Sequence, residues 1–287
     1  MLVKNDLSDL AHRYSRERFD AEATQRRPMI AQRYVGAALR AGRLKLAWQP
    51  VFDAAKSDVL FYEGLMRVVC LDGEIIAAGQ FMPGIESSEV GRAVDTLALS
   101  TAIQELTQDS TVTLSVNASP RSLLHYEWLH VLFSGIEHAP EIASRLIIEI
   151  TERSALKMTS NFEDCVSHIQ YFGVRIALDD FGSGYASLGN IQLIGPDIVK
   201  LSGDFVKGIA NSRDKQVAVR AFLSVALHHG ARTVAEGIET DADLEWVKAA
   251  GFDGLQGFAL GRPSFGRGLP SSNELDSKRR ESRIQAA

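Results

Sequence analysis

Ile176-Ala-Leu-Asp-Asp-Phe-Gly-Ser-Gly-Tyr-Ala-Ser-Leu188 joins an apolar strand to two adjacent carboxylates and then to a glycine-bracketed loop. Adjacent acids at the mouth of a buried strand are costly unless a cation lies between them. Oxygen ligands of this kind suit Mg²⁺, Mn²⁺ or Ca²⁺. Taken alone, an Asp-Asp pair also reads as a turn in which Asp180 caps the next helix. The choice depends on what the other strand ends carry.

Working outward from this run, strand-like segments recur between turn residues: Leu44 to Phe52, Val59 to Val69, Thr111 to Asn117, Arg145 to Thr151, Val174 to Asp180, Asp197 to Leu201, Arg232 to Gly237 and Gly254 to Leu260. Helical periodicity fills most of the gaps, as in Val90 to Leu106, Asn161 to Phe172, Lys215 to Gly230 and Ala242 to Ala250. The first two strands are separated only by Asp53 to Asp58, too short for a parallel crossover, so they form an antiparallel hairpin. The later alternation predicts a mainly parallel sheet. The expected fold is α/β, a modified triosephosphate-isomerase-type (β/α)8 barrel with an antiparallel first strand. An open doubly wound sheet is the competing architecture.

Placed on these strands, the polar residues gather. Glu63, Asn117, Glu149, Asp179, Asp180, Lys200 and Glu236 sit on successive strands, mostly at or near their C-terminal ends, and Gln256 lies in the last one. In a barrel those ends converge on one mouth, where active sites of this architecture lie. Each residue alone has a structural explanation: a core ion pair for Glu149, a snorkelling Lys200, a turn cap for Asn117. Together they predict a site, because several carboxylates at one mouth repel strongly and metal relieves that repulsion. Two ions bridged by an aspartate suit hydrolysis of a phosphate ester.

The bulk properties exclude other classes. The 287 residues are 45% hydrophobic and 23% charged, with a formal net charge of −5. That length supports a sizeable core, and the mild acidity argues against a surface for duplex nucleic acid. Cys70 and Cys165 form no disulfide framework and lack metal-ligand spacing; they are expected to be reduced core thiols of a cytoplasmic protein. No apolar run is long enough for a membrane span, and Met1-Leu-Val-Lys-Asn-Asp6 is not a signal peptide. Residues 1–30 read as a polar arm or helix open to a protein partner, 31–268 as the barrel, and 269–287 as a disordered polar tail. None of the seven histidines lies at a strand end, and there is no P-loop. Asp180-Phe-Gly matches the kinase metal-binding triplet, but its kinase companions are missing.

The motifs Trp48-Gln-Pro-Val-Phe, Tyr62-Glu-Gly-Leu-Met-Arg, Ser115-Val-Asn-Ala-Ser-Pro, Ile148-Glu-Ile-Thr-Glu, Leu178-Asp-Asp-Phe-Gly-Ser-Gly-Tyr-Ala-Ser-Leu, Val199-Lys, Val234-Ala-Glu-Gly-Ile-Glu and Leu255-Gln-Gly-Phe-Ala-Leu-Gly-Arg-Pro resemble an EAL-type cyclic di-GMP phosphodiesterase domain. The resemblance runs from about residue 32 to 266. It implies cleavage of one phosphodiester bond of cyclic di-GMP to give linear pGpG. It implies that Glu63, Asn117, Glu149 and Asp179 bind one Mg²⁺ or Mn²⁺, and that Asp179 bridges to a second ion held by Asp180 and Glu236. Lys200 is implied to orient the attacking water or offset transition-state charge, with Glu236 also a candidate general base. Glu152 and Glu239 resemble supports for the loop after Asp180; Gln49, Arg67 and Gln256 resemble substrate contacts. A homodimer is implied as well.

Two positions depart from the family pattern. Gly64 stands where the family has alanine, and Ser202 where it usually has aspartate two residues after the lysine. These departures motivate an alternative, a catalytically weak or inactive EAL domain acting as a cyclic di-GMP receptor or a regulatory interaction module. The residues outside the barrel are too few for a cyclase or sensor domain, so a stand-alone domain is expected.

Overall fold

The computed structural model describes residues 28–56, 58–155, 160–183 and 188–267. The expected polar arm, beyond its last three residues, and the expected tail lie outside the described residues. The strands are Leu44–Asp53 (β1), Val59–Val69 (β2), Ile75–Ala77 (β3), Leu114–Asn117 (β4), Leu146–Thr151 (β5), Arg175–Phe181 (β6), Ile198–Leu201 (β7), Arg232–Ala235 (β8) and Gly254–Leu255 (β9). The longer helices are Pro28–Arg40 (α1), Ala78–Ile85 (α2), Glu89–Gln108 (α3), Tyr126–His138 (α4), Ser160–Tyr171 (α5), Leu188–Ile194 (α6), Arg213–His228 (α7) and Asp241–Ala250 (α8). No helix among the described residues is long and apolar enough to cross a membrane.

Strand order around the sheet is β1-β9-β8-β7-β6-β5-β4-β2, and β1 pairs with β2 to close the barrel; β3 adds to β2 outside it. β1 is antiparallel to both neighbours, with Gln49 opposite Glu63 and Phe52 opposite Leu255. The remaining barrel pairs, from β2–β4 to β8–β9, are parallel. The short hairpin and the later alternation of strands and helices thus gave the expected topology. β3 went unread because three residues carry too little period-2 pattern to register. The last strand is also shorter than expected, since the chain after Leu255 leaves the sheet in turns.

Helix boundaries follow local chemistry. Ser88, Ser212 and Thr240 each accept a backbone N–H from the first turn of α3, α7 and α8, which satisfies donors that have no partner within the helix. α8 ends where Gly251 takes a left-handed conformation.

The core has two layers. Most buried apolar residues lie between sheet and helices, in one continuous cluster that includes Trp48, Leu99, Leu114, Ile148, Leu178 and Val199. A smaller cluster plugs the barrel interior: Val51, Phe61, Ile147, Ala177, Ile198 and Val234. Side chains alternate faces along a strand, so the residue two further on points into the same interior. Two residues beyond Phe61, Ile147, Ala177, Ile198 and Val234 stand Glu63, Glu149, Asp179, Lys200 and Glu236. The apolar plug and the polar layer above it therefore follow from one register, and the plug closes the floor beneath the charged groups.

Candidate metal centre and active site

Lys200 is the hub of this polar layer. Its fully buried Nζ lies 2.7 Å from Glu236 Oε1, 2.8 Å from Glu149 Oε2, 3.1 Å from Asp179 Oδ1 and 3.2 Å from Glu63 Oε2. Four carboxylates face one ammonium. Burial pulls the Lys200 pKa down, but the charges of Asp179, Glu149, Glu236 and Glu63 outweigh it and hold the ammonium well above its ordinary range.

The carboxylates divide. Burial pushes Glu63 up, but Lys200, with hydrogen bonds from Gln256 and Asn117, outweighs burial and holds it below the usual range. Gln256 Nε2 donates to Glu63 Oε2 at 2.6 Å, and Asn117 Nδ2 donates to Oε1 at 3.2 Å. Glu149 is raised to about 8, first by burial and then by the Glu63 charge. Burial, followed by the Asp179 charge, also raises Glu236 well above the ordinary range. Asp180 stands at the open mouth, where the cleft walls and then Asp179 push it up to about 6.

Asp180 has φ of 55°, and is the only non-glycine residue with positive φ among the described residues. Aspartate tolerates this left-handed conformation better than most side chains. In a regular strand, neighbouring side chains face opposite ways; here Asp179 and Asp180 line the same cavity. The backbone twist makes a pair of adjacent acids usable at one site.

Whether this set fits a cation can be judged from its own atoms. Glu63, Glu149 and Asp179 each place an oxygen within 4.8 Å of the others. Glu149 Oε1 is buried without a hydrogen-bond partner, a costly state for a carboxylate oxygen unless a cation meets it. The donors are carboxylates with an amide carbonyl nearby, the set preferred by hard divalent ions. The residues fit.

The site opens into a cleft of about 980 Å³, bordered by Arg121, Arg153, Asp180, Ser202, Lys207 and Glu239. A side chamber of about 340 Å³ reaches Glu63, Asn117 and Asp179 between β2, α2 and α3. Glu152, buried directly after β5, accepts the Gly182 N–H at 2.9 Å and so ties down the start of the loop after β6. Glu239 pairs with Lys207 at 3.5 Å; most of the loop it was expected to support, residues 184–187, lies outside the described residues. Gln49 is buried beside Glu63 and donates to the Gly261 carbonyl at 3.0 Å. Arg67 lies on the Glu63 face of β2, and its guanidinium donates to the Met66 carbonyl at 3.0 Å. Gln256, expected at the substrate, sits 3% exposed behind Glu63, where its amide orients that carboxylate.

The two departures differ in their surroundings. A Cβ at Gly64 would lie 2.9 Å from Trp48 Cζ3 and 3.1 Å from the Ser115 carbonyl oxygen. The Trp48 ring occupies the space an alanine methyl would need. Gly64→Ala is therefore expected to lower stability by about 1–3 kcal/mol through overpacking, read as a lower urea midpoint. Adding Trp48→Phe should recover most of the loss, and a neutral Gly64→Ala would refute the packing account. Ser202 is buried and caps the one-turn helix Gly203–Val206, accepting the Asp204 N–H at 3.5 Å.

Sequence reading missed Asp95 of α3, a buried acid that lines the side chamber. The signal was present, because Asp95 falls on the helix stripe of Gly91, Ala98, Leu99 and Ala102 that faces the core. It also missed Arg121, Arg153 and Lys207 at the cleft, since they lie in or at the end of one-turn helices too short to show a periodicity.

A closed barrel with one antiparallel strand and an acidic, lysine-centred mouth defines the class. The model of the EAL domain matches residues 32–263, and this chain belongs to the EAL domain family. The cyclic di-GMP phosphodiesterase PdeB of Shewanella oneidensis is 31% identical over 257 residues, which cover 85% of this chain and 29% of PdeB. This chain thus spans less than a third of that relative's length. The solved MucR phosphodiesterase of Pseudomonas aeruginosa, in complex with c-di-GMP, superimposes with a TM-score of 0.72 at 27% identity, covering 82% of this chain and 97% of the solved chain. The manganese and cyclic di-GMP complex of Klebsiella pneumoniae BlrP1 gives a TM-score of 0.68 at 26% identity, covering 77% of this chain and 56% of that solved chain.

Proposed function

We propose that this chain hydrolyses cyclic di-GMP to linear pGpG at the Lys200-centred mouth of the barrel. The observation that carries the reading is the convergence of Glu63, Glu149, Asp179 and Glu236 on one buried ammonium, with Glu149 Oε1 left unpartnered. The activity named for PdeB and the ligands named for MucR and BlrP1 support it.

In this reading Glu63, Asn117, Glu149 and Asp179 would hold one Mg²⁺ or Mn²⁺, and Asp179, Asp180 and Glu236 a second. When bound, such a pair lowers the pKa of a water and offsets charge on the phosphoryl oxygens. Glu236 in its ionised form would be placed to accept a proton from such a water. Lys200 fixes Glu236 through the 2.7 Å contact and adds positive potential beneath the reacting phosphate. Arg67 and Gln49 would serve as substrate contacts. The water oxygen bonds to phosphorus, the bond from phosphorus to the ribose 3′ oxygen breaks, and the leaving oxygen takes up a proton. The product keeps a 5′ phosphate. Turnover in ¹⁸O-labelled water should place one label in that phosphate; unlabelled pGpG would contradict attack by water.

The raised Glu149 pKa gives metal binding a pH dependence. With its pKa at about 8, Glu149 carries a proton at neutral pH in the metal-free protein. Ligation needs the carboxylate, so binding releases that proton and Mn²⁺ affinity rises with pH up to about 8. By the same linkage, stability of the metal-free fold is lost as pH rises from the ordinary glutamate value of 4.5 through about 8. Titration calorimetry in buffers of different ionisation heat checks this, and no proton release at neutral pH would contradict it. A cytoplasmic location and a homodimer accompany the reading; light scattering tests the second.

A further inference from the structure

A second buried acid adjoins the centre without belonging to it. Asp95 is 5% exposed on α3 and lines the side chamber with Glu63, Asn117 and Asp179. Its Oδ2 accepts the Ser119 backbone N–H at 3.0 Å and the Ser122 hydroxyl at 2.7 Å. The two serine hydroxyls lie 3.0 Å apart, and Ser119 Oγ also accepts the Ser122 N–H at 3.3 Å. One carboxylate oxygen thus locks the turn that begins two residues after Asn117. Just before this turn the chain is held to β5, where the Ala118 N–H donates to the Glu149 carbonyl at 2.9 Å.

The choice of a carboxylate here needs a cause. A buried acid met by neutral donors is more expensive than a neutral cap, and a serine or asparagine could also hold a turn. What the carboxylate adds is a stiffer, charge-assisted bond at the point that aims Asn117. The Asn117 amide nitrogen is already given to Glu63 Oε1 at 3.2 Å, which leaves its carbonyl oxygen as the ligand atom.

We propose that Asp95 is a positioning residue that sets Asn117 for cation binding, holding the turn after β4 against α3. This rests on the metal reading of the site. The test uses Mn²⁺ alone, titrated into the metal-free chain and followed by calorimetry. Asp95→Ala is expected to raise the Mn²⁺ midpoint at least about tenfold, as loss of a supporting contact to a ligand does. Asp95→Asn should raise it less, because its carbonyl oxygen can still accept the Ser119 N–H. Asp253→Ala is the control for simple loss of stability: it cuts bonds of 2.8 Å and 3.0 Å to Thr233 near the start of β8, at the opposite end of the barrel. It should lower the melting temperature without moving the Mn²⁺ midpoint. An Asp95→Ala midpoint within about twofold of wild type, or an equal shift in Asp253→Ala, would overturn the proposal. If Asp95→Ala fails to fold, Asp95→Asn and Ser122→Ala carry the test, and two unmoved midpoints overturn it. A wild-type chain that binds no Mn²⁺ would instead overturn the metal reading itself.

Discussion

Glu149→Gln lowers the rate of cyclic di-GMP hydrolysis by at least about a thousandfold, equivalent to roughly 4 kcal/mol of barrier. The substitution keeps the shape of the side chain and its place beside Lys200, and removes the charge alone. Glu149 is fully buried, gives Oε2 to Lys200 at 2.8 Å and leaves Oε1 unpartnered. If Glu149 merely balanced the lysine, three other carboxylates would remain for that purpose and the glutamine would cost little. If it is a metal ligand, its loss empties a coordination position that no neighbour can fill. Stability should move the other way. Burial has already raised this acid to about 8, so the neutral glutamine should leave the metal-free fold at least as stable above that pH. Single-turnover rates paired with melting temperatures check both parts. Activity within about tenfold of wild type would contradict the ligand role.

Lys200→Ala destabilises the metal-free protein by about 3–5 kcal/mol, the usual result of leaving buried charge uncompensated. At about 2–4 °C per kcal/mol for a chain approaching this size, the melting temperature should fall by roughly 10 °C. Lys200 is fully buried and lies within 3.2 Å of an oxygen from each of four acids. Removing it leaves those acids to take up protons or repel. Added Mn²⁺ should restore part of the lost stability, because a cation then meets the same oxygens. Turnover should stay low even so, since Glu236 loses its 2.7 Å contact. Calorimetric melting with and without Mn²⁺ measures this, and an unchanged melting temperature in the metal-free variant would contradict the picture of the lysine as hub.

Much of this was legible in the sequence because a parallel barrel couples position on a strand to position in space. Once the run Ile176 to Asp180 and its counterparts were read as strands, Glu63, Glu149, Lys200 and Glu236 had to meet at one end. The two-residue period also hid a regularity: each of these residues follows an interior apolar residue by two positions. The rest depended on tertiary contacts with no local signature. Nothing in Gly64 itself shows that Trp48 fills its missing methyl, because the two meet only across the β1–β2 pair. Nothing in the sequence around Gln256 ties it to Glu63, and only the closing of β9 against β8 brings its amide to that carboxylate. Asp95 is the exception: its place on the buried stripe of α3 was a local signal, but the other residues of that stripe serve packing and drew no attention to it.

The most direct test of the central claim is chromatographic product analysis of purified chain incubated with cyclic di-GMP and Mn²⁺. The expected result is conversion to pGpG, abolished by chelator and by Glu63→Ala. Ser202→Asp, assayed alongside, would show whether an acid at the cap of Gly203–Val206 changes the rate. Cyclic di-GMP that binds wild type but remains intact with either Mg²⁺ or Mn²⁺ would contradict the hydrolytic account and leave a receptor in its place.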